Sequence, residues 1–355
     1  MKFRAIILLL SFFILGLFGT SALADVKWNP GHYVMLVGDG KNSSYYMNQV
    51  YNELDTHPAL RGIAIRYKWN EIEKTKGVYD FASIDKQLLA LKAKNKQLII
   101  LLEYKSFTPD ILIPAYMKTA TYEGGVFATG KNGVIKGYNI KLWNTAVKDR
   151  LIALANALGK HLDAHPNFEG FGFQESTMGQ PLKPLTTAQV NGFYNNLLLV
   201  NRGARTNFIN TMTFQLTNYP RPFLDPLINE LKNIGGTIGA TDVFLQEPGL
   251  LFQSAKDSND GLYLKLPNLN GILPILAQVE KPNYENTKHD DTGYKPTVTE
   301  LLNFSRDKLF VNYILWTRSP GHYDDVLLLL NQKSQLDTPS GGLISLCPIS
   351  IKCKI

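Results

Sequence analysis

Short, unbroken apolar runs alternate along this chain with longer stretches in which apolar residues return every three or four positions. The runs fall at 32–38, 61–67, 97–103, 168–174, 207–215, 238–245, 272–279 and 309–316. Their length and continuity predict strands buried on both faces. The stretches at 44–56, 81–94, 142–165, 187–202, 222–234, 299–306 and 322–332 carry the period of amphipathic helices. Eight strands with intervening helices is the order of a closed α/β fold, the (β/α)8 TIM barrel. The weak connection is 246–271, where Pro, Gly, Asn and Asp dominate and any helix must be short. A doubly wound open sheet is the competing arrangement. It usually carries a Gly-rich phosphate turn after its first strand, and Val37-Gly38-Asp39-Gly40 followed by Lys-Asn-Ser-Ser does not make one.

The ends of the chain add their own signals. Lys2 and Arg4 precede an apolar stretch from Ile6 to Phe18, and Ala22-Leu23-Ala24 closes it with small residues. This reads as a secretory signal peptide over 1–24, so the protein is expected to be secreted or periplasmic. The stretch is too short for a spanning helix, and no stable membrane insertion is expected. Without it the 355-residue chain keeps residues 25–355 as a single barrel domain, and its formal charge falls from +7 to +5 with the loss of Lys2 and Arg4. The remaining lysines are scattered and form no stripe for nucleic acid. The tail over 333–355 leaves the helical pattern, and Cys347 and Cys353 within it read as a disulfide in an exported chain.

Candidate chemistry gathers at the ends of the strand runs, because a barrel of this kind places its active site at the C-terminal ends of its strands. Glu175 closes the fourth run and Glu280 the seventh, 105 residues apart in sequence. Alternation puts Phe171, Phe173 and Glu175 on one side of their strand, and Leu276, Gln278 and Glu280 on one side of theirs. Two carboxyl groups across one cleft are what glycoside hydrolysis needs: one protonates the leaving oxygen, the other attacks the anomeric carbon or activates water. Glu103 and Asp39 end other runs, and Glu247 follows the sixth in Leu-Gln-Glu-Pro-Gly; each is a candidate for a sugar hydroxyl. Asp242 lies inside the predicted sixth strand and reads as a structural carboxylate. The connection over 105–140, rich in aromatics that include Phe107, is long enough to wall a cleft. The six histidines form no compact ligand set, so no metal and no cofactor is expected.

Residues 61–85 carry Arg66, Trp69, Glu73, Gly77, Tyr79, Asp80, Phe81 and Asp85 at the spacing R-x-x-W-x-x-x-E-x-x-x-G-x-Y-D-F-x-x-x-D. This segment resembles the second-strand region of the retaining (β/α)8 glycoside hydrolases of clan A, the superfamily of cellulase-, mannanase- and β-galactosidase-type barrels. The resemblance implies Glu175 as acid/base, Glu280 as nucleophile and Arg66 as a partner for the latter. It also implies an aromatic at the end of the eighth strand, supplied by Trp316, as a platform beneath the sugar. Tyr67, Trp69, Tyr104 and Tyr284 are further candidates for stacking on sugar rings. One departure is plain: the position before the acid/base, usually Asn in that superfamily, is Gln174 here. The expected activity is hydrolysis of a β-linked oligo- or polysaccharide by a monomer. A barrel of the same kind that binds carbohydrate without cleaving it, or serves surface adhesion, is the alternative.

Overall fold

The computed structural model describes residues 25–354, so the signal-peptide reading of Met1–Ala24 lies outside the described residues. Eight parallel strands close into a barrel in chain order: β1 Gly31–Leu36, β2 Leu60–Lys68, β3 Gln97–Glu103, β4 Phe168–Phe173, β5 Met212–Thr217, β6 Thr237–Ala240, β7 Ile275–Val279 and β8 Tyr313–Thr317. Around it run α1 Ser44–Thr56, α2 Ala82–Lys92, α3 Thr145–Leu162, α4 Thr187–Asn207, α5 Arg221–Ile234, α6 Val298–Asp307 and α7 Tyr323–Leu330. The sixth connection holds only short helical turns, at Pro248–Leu251, Leu262–Lys265 and Leu266–Leu269. Among the described residues, no helix is long and apolar enough to cross a membrane.

Three strands differ most from the apolar runs. β5 begins at Met212 because α4 continues to Asn207, and Phe208 packs on Phe168 and Phe171 as the helix ends. β8 begins at Tyr313 because Phe310 takes a positive φ of 56° that breaks the extended run. β6 stops at Ala240, and Asp242 to Phe244 leave the sheet. An apolar run reports burial, which a loop packed over a barrel mouth shares with a strand.

Two apolar layers result. Tyr33, Met35, Ala64, Ile99, Leu101, Phe214, Leu276 and Leu315 fill the barrel, while Ile63, Ile65, Leu98, Ile100, Ile314 and Trp316 face the helices. On β4 the register slips: Leu98 pairs with Phe168, but Ile99 pairs with Gly170, which leaves Glu169 as an inserted residue. That bulge reverses the alternation beyond it. Gly170 and Gly172 therefore face inward, where a Cβ would come within 2.9 Å of Met212 and 2.3 Å of Phe214. Phe171 and Phe173 turn to the helices. The expected shared side holds for Phe171 and Phe173, both in the helix-facing layer, but not for Glu175, because the strand ends at Phe173 and the chain turns beyond it.

At the N-terminal end of the barrel, Asp25–Lys27 pairs in parallel with Lys352–Lys354, and the disulfide Cys347–Cys353 holds the tail. Val26, Trp28 and Ile351 join the interior layer and close that end.

The 61–85 segment proves to be a structural clamp. Glu73 is fully buried and accepts from Trp69 Nε1 (2.9 Å), Gly77 N–H (2.7 Å), Tyr116 OH (3.0 Å) and the Arg150 guanidinium. Tyr79 OH accepts from Arg150, Phe81 stacks on His161, and Asp85 pairs with His161 at 2.6 Å. Replacing Glu73 by Ala strands Arg150 and three further donors, so it should destabilise the protein by about 3–5 kcal/mol. Urea denaturation of the variant tests this; a loss below about 1 kcal/mol would show that the clamp is dispensable.

Candidate active site

The C-terminal mouth of the barrel holds a cavity of about 450 Å³, within the span of roughly 300–1,000 Å³ usual for ligand pockets. Arg66, Glu175, Asp242, Gln278 and Glu280 line it, with Phe107 and Phe244 as its aromatic walls. An adjoining hollow of about 370 Å³ shares Glu175, Asp242, Phe107 and Phe244 and extends to Lys105 and Glu247.

Glu280 follows β7 directly. Leu276 and Gln278 face the barrel interior, and the next inward step carries the Glu280 carboxylate into the cavity. It accepts from the Arg66 guanidinium, from Gln278 Nε2 at 2.7 Å and from Thr317 Oγ1 at 3.5 Å. Its own N–H donates to Asn283 Oδ1 at 2.8 Å. Arg66 lies inward at the top of β2, donates to Gln278 Oε1 at 3.1 Å and meets Glu103 at 3.6 Å. Burial lowers the pKa of Arg66, and Glu103, Asp242 and Glu175 oppose that. Burial raises the pKa of Glu103, against the pull of Arg66.

Glu175 reaches the same cavity by another route. β4 ends at Phe173, and the chain turns so that Gln174 and Glu175 both line the mouth. The Gln174 amide is anchored to the end of β3: its oxygen accepts from Tyr104 N–H and Lys105 N–H, each at 2.8 Å, and its nitrogen donates to Lys105 O at 3.1 Å. One N–H of that amide is left for a ligand. Lys105, buried, forms an ion pair with Glu175 Oε1 and donates to Thr177 O at 2.9 Å. Lys105 was not among the residues expected here. Its only trace in the sequence is its place directly beyond the third strand, at a position the fold buries.

Asp242 is the other addition. It was expected inside a strand, but β6 is already over, and its carboxylate lines the cavity. Burial, and then the charge of Glu175, push its pKa up to about 6.

The stacking candidates lie elsewhere. Trp316 is fully buried in the helix-facing layer and donates from Nε1 to His32 Nδ1 at 3.0 Å. It follows the inward-facing Leu315, so alternation sends it outward; Tyr67 beside Arg66 and Tyr104 beside Glu103 turn outward in the same way. Trp69 is buried in the Glu73 clamp. Tyr284 stacks on His322 and donates to Thr317 O at 3.1 Å. None of these five lines the cavity. Its aromatic faces are Phe107, 66% exposed on the long third connection, and Phe244. Glu247 stands at the rim and accepts from Gly249 N–H (3.2 Å) and His289 N–H (2.9 Å). No group of three or more His, Cys, Asp and Glu side chains is placed to hold a metal among the described residues.

No protein-family profile matches the chain, and no curated protein sequence matches it. Solved structures do. The chain is similar to the catalytic domain of β-amylase from Paenibacillus polymyxa, with a TM-score of 0.60 at 7% identity over 85% of this chain and 98% of that one. It is similar to β-galactosidase from the psychrophilic Marinomonas ef1, with a TM-score of 0.59 at 9% identity over 89% of this chain, and spans 61% of that protein's length. Endo-glycoceramidase II from Rhodococcus sp. matches with a TM-score of 0.51 at 10% identity, over 84% of this chain and 76% of that one. At these identities the likeness is one of fold: a (β/α)8 barrel resembling those of several glycoside hydrolases.

Proposed function

We propose that the protein is an exported retaining glycoside hydrolase acting on β-linked oligo- or polysaccharides. The observation that supports this most is the convergence of Glu175 from the end of β4 and Glu280 from the end of β7 on one cavity at the barrel mouth, with Arg66 bonded to Glu280. Glu280 is the nucleophile. Arg66 and Gln278 hold its Oε1, so the carboxylate is oriented before substrate arrives. Glu175 is the acid/base. Lys105 holds its Oε1, while Oε2 has no hydrogen bond among the described residues and is free to face the glycosidic oxygen.

In the first step an electron pair of Glu280 forms a bond to the anomeric carbon as the glycosidic C–O bond breaks, and the Glu175 carboxyl proton passes to the departing oxygen. In the second, Glu175 takes a proton from water, the water oxygen bonds to the anomeric carbon, and Glu280 is released. Two inversions give net retention. Neither step calls for a cofactor. Phe107 and Phe244 supply the apolar faces against which a sugar ring packs.

The test is hydrolysis of aryl β-glycosides, β-glucans and mannans, with proton NMR of the anomer formed first. A β-anomer appearing before mutarotation is the expected result. An α-anomer first would rule out double displacement, and a folded protein that cleaves nothing in the panel would favour a binding barrel.

A further inference from the structure

Apart from Asp291, which is exposed, the carboxylates of the cavity are Glu280, Glu175 and Asp242, and they are not equivalent. Glu280 is paired with Arg66 and Glu175 with Lys105. Asp242 has no Lys, Arg or His nitrogen within 4.0 Å among the described residues. Its oxygens take neutral donors alone: Asn218 Nδ2 at 3.0 Å and Asn283 Nδ2 at 3.4 Å. Both amides are tied down by their own oxygens, Asn218 to Thr241 N–H at 3.2 Å and Asn283 to Glu280 N–H at 2.8 Å. The carboxylate is therefore held in place and not free to swing toward a distant cation. Beside it in the chain, Thr241 lines the same cavity, is 8% exposed, and has a hydroxyl with no hydrogen-bond partner.

A fixed carboxylate without a counter-charge, next to an unpaired hydroxyl oxygen, fits a ligand group that is cationic and donates more than one hydrogen bond. A sugar hydroxyl offers one donor and no charge. An ammonium group answers both acceptors with its N–H donors. We infer that the cavity takes an amino sugar with a free ammonium group, held by Asp242 and Thr241. This deepens the sugar-cleaving reading above and rests on it.

Other charged groups set the pH window. Glu175 adds negative charge toward Asp242, while Arg66 and His289 pull against it at longer range. Tyr219 and Tyr263 are neutral neighbours, and Tyr263 OH donates to Asp242 O at 2.8 Å. The Lys288 ammonium on the cavity wall donates to Thr292 Oγ1 at 3.3 Å. Burial and Glu175 prevail, so Asp242 ionises near pH 6. An amine beside electron-withdrawing carbons loses its proton at about pH 7–8. Attraction is then greatest between the two.

Titration calorimetry of the parent and of Asp242→Asn tests this with three β-linked oligosaccharides: glucosamine oligomers, their N-acetylated counterparts and neutral glucose oligomers. The parent should bind the glucosamine oligomers at least about tenfold more tightly than either counterpart near pH 6.5, a difference of about 1.4 kcal/mol. That preference should fall toward pH 5 and toward pH 8.5. Asp242→Asn, the same in shape, should lose the preference, with the neutral oligomer as the control for an intact cavity. Equal affinity for all three sugars, or a preference that survives in Asp242→Asn, overturns the inference and leaves the glycosidase reading standing. Binding of none of the three overturns the inference, and the hydrolysis panel above then decides the glycosidase reading separately.

Discussion

Glu280→Gln is expected to lower kcat/KM by at least about 10⁴-fold, close to 5.5 kcal/mol of transition-state stabilisation, without unfolding the barrel. The size follows from what is lost. An amide oxygen is far too weak a nucleophile to displace a sugar oxygen, so no covalent intermediate forms. The surroundings change little, since the amide oxygen still accepts from Arg66 and Gln278 and the backbone N–H keeps its bond to Asn283. Arg66 also keeps Glu103 at 3.6 Å, so its charge is not stranded. Steady-state kinetics alone would not identify the nucleophile. Incubation with a 2-deoxy-2-fluoroglycosyl fluoride, which slows release of the intermediate, should label the peptide carrying Glu280, as read by mass spectrometry. A label on Glu175 or Asp242 would reassign the roles, and loss of less than about tenfold in Glu280→Gln would remove Glu280 from the chemistry.

How much of this was legible in the chain depends on what each residue answers to. The barrel was, because eight apolar runs between amphipathic stretches answer to burial, which the fold reproduces directly. The inward direction of Glu280 was legible too: β7 has no bulge, so Leu276, Gln278 and Glu280 alternate without interruption. On β4 the same rule failed for Glu175, because the strand stops at Phe173 and the chain turns, while one inserted residue at Glu169 sets the phenylalanines outward and the glycines inward. The hint was in the side-chain volumes, since Gly170 and Gly172 suit an interior already filled by Met212 and Phe214. The aromatic candidates failed for a related reason. Trp316, Tyr67 and Tyr104 sit beside inward-facing residues and so belong to the helix-facing layer, whose demand for bulk is as strong as any sugar's. Lys105 and Asp242 were out of reach because their roles depend on where a strand stops. The resemblance over 61–85 identified a clamp around Glu73 that supports the barrel, and of its residues Arg66 alone lines the cavity.

Glu175→Gln should cost less than loss of the nucleophile, and unequally across substrates. Proton donation is worth about 10²–10⁴-fold when the leaving oxygen is a sugar hydroxyl, and almost nothing when it departs as a stable anion. The variant should therefore retain near-parent rates of the first step with a dinitrophenyl glycoside, seen as a burst of phenolate, yet fail on oligosaccharides. Removing the carboxylate also leaves the buried Lys105 without its anion, which destabilises the fold by about 3–5 kcal/mol. A loss of activity from that cause would be indistinguishable in the single variant. The double variant Glu175→Gln/Lys105→Met separates them, because it removes both charges and should recover most of the stability. If it regains its denaturation midpoint and still cleaves only the dinitrophenyl glycoside, the carboxyl group of Glu175 is the proton donor. If oligosaccharide cleavage returns along with stability, Glu175 serves only to neutralise Lys105, and the proton must come from another group in the cavity, of which Asp242, with its pKa pushed up to about 6, is the first to test.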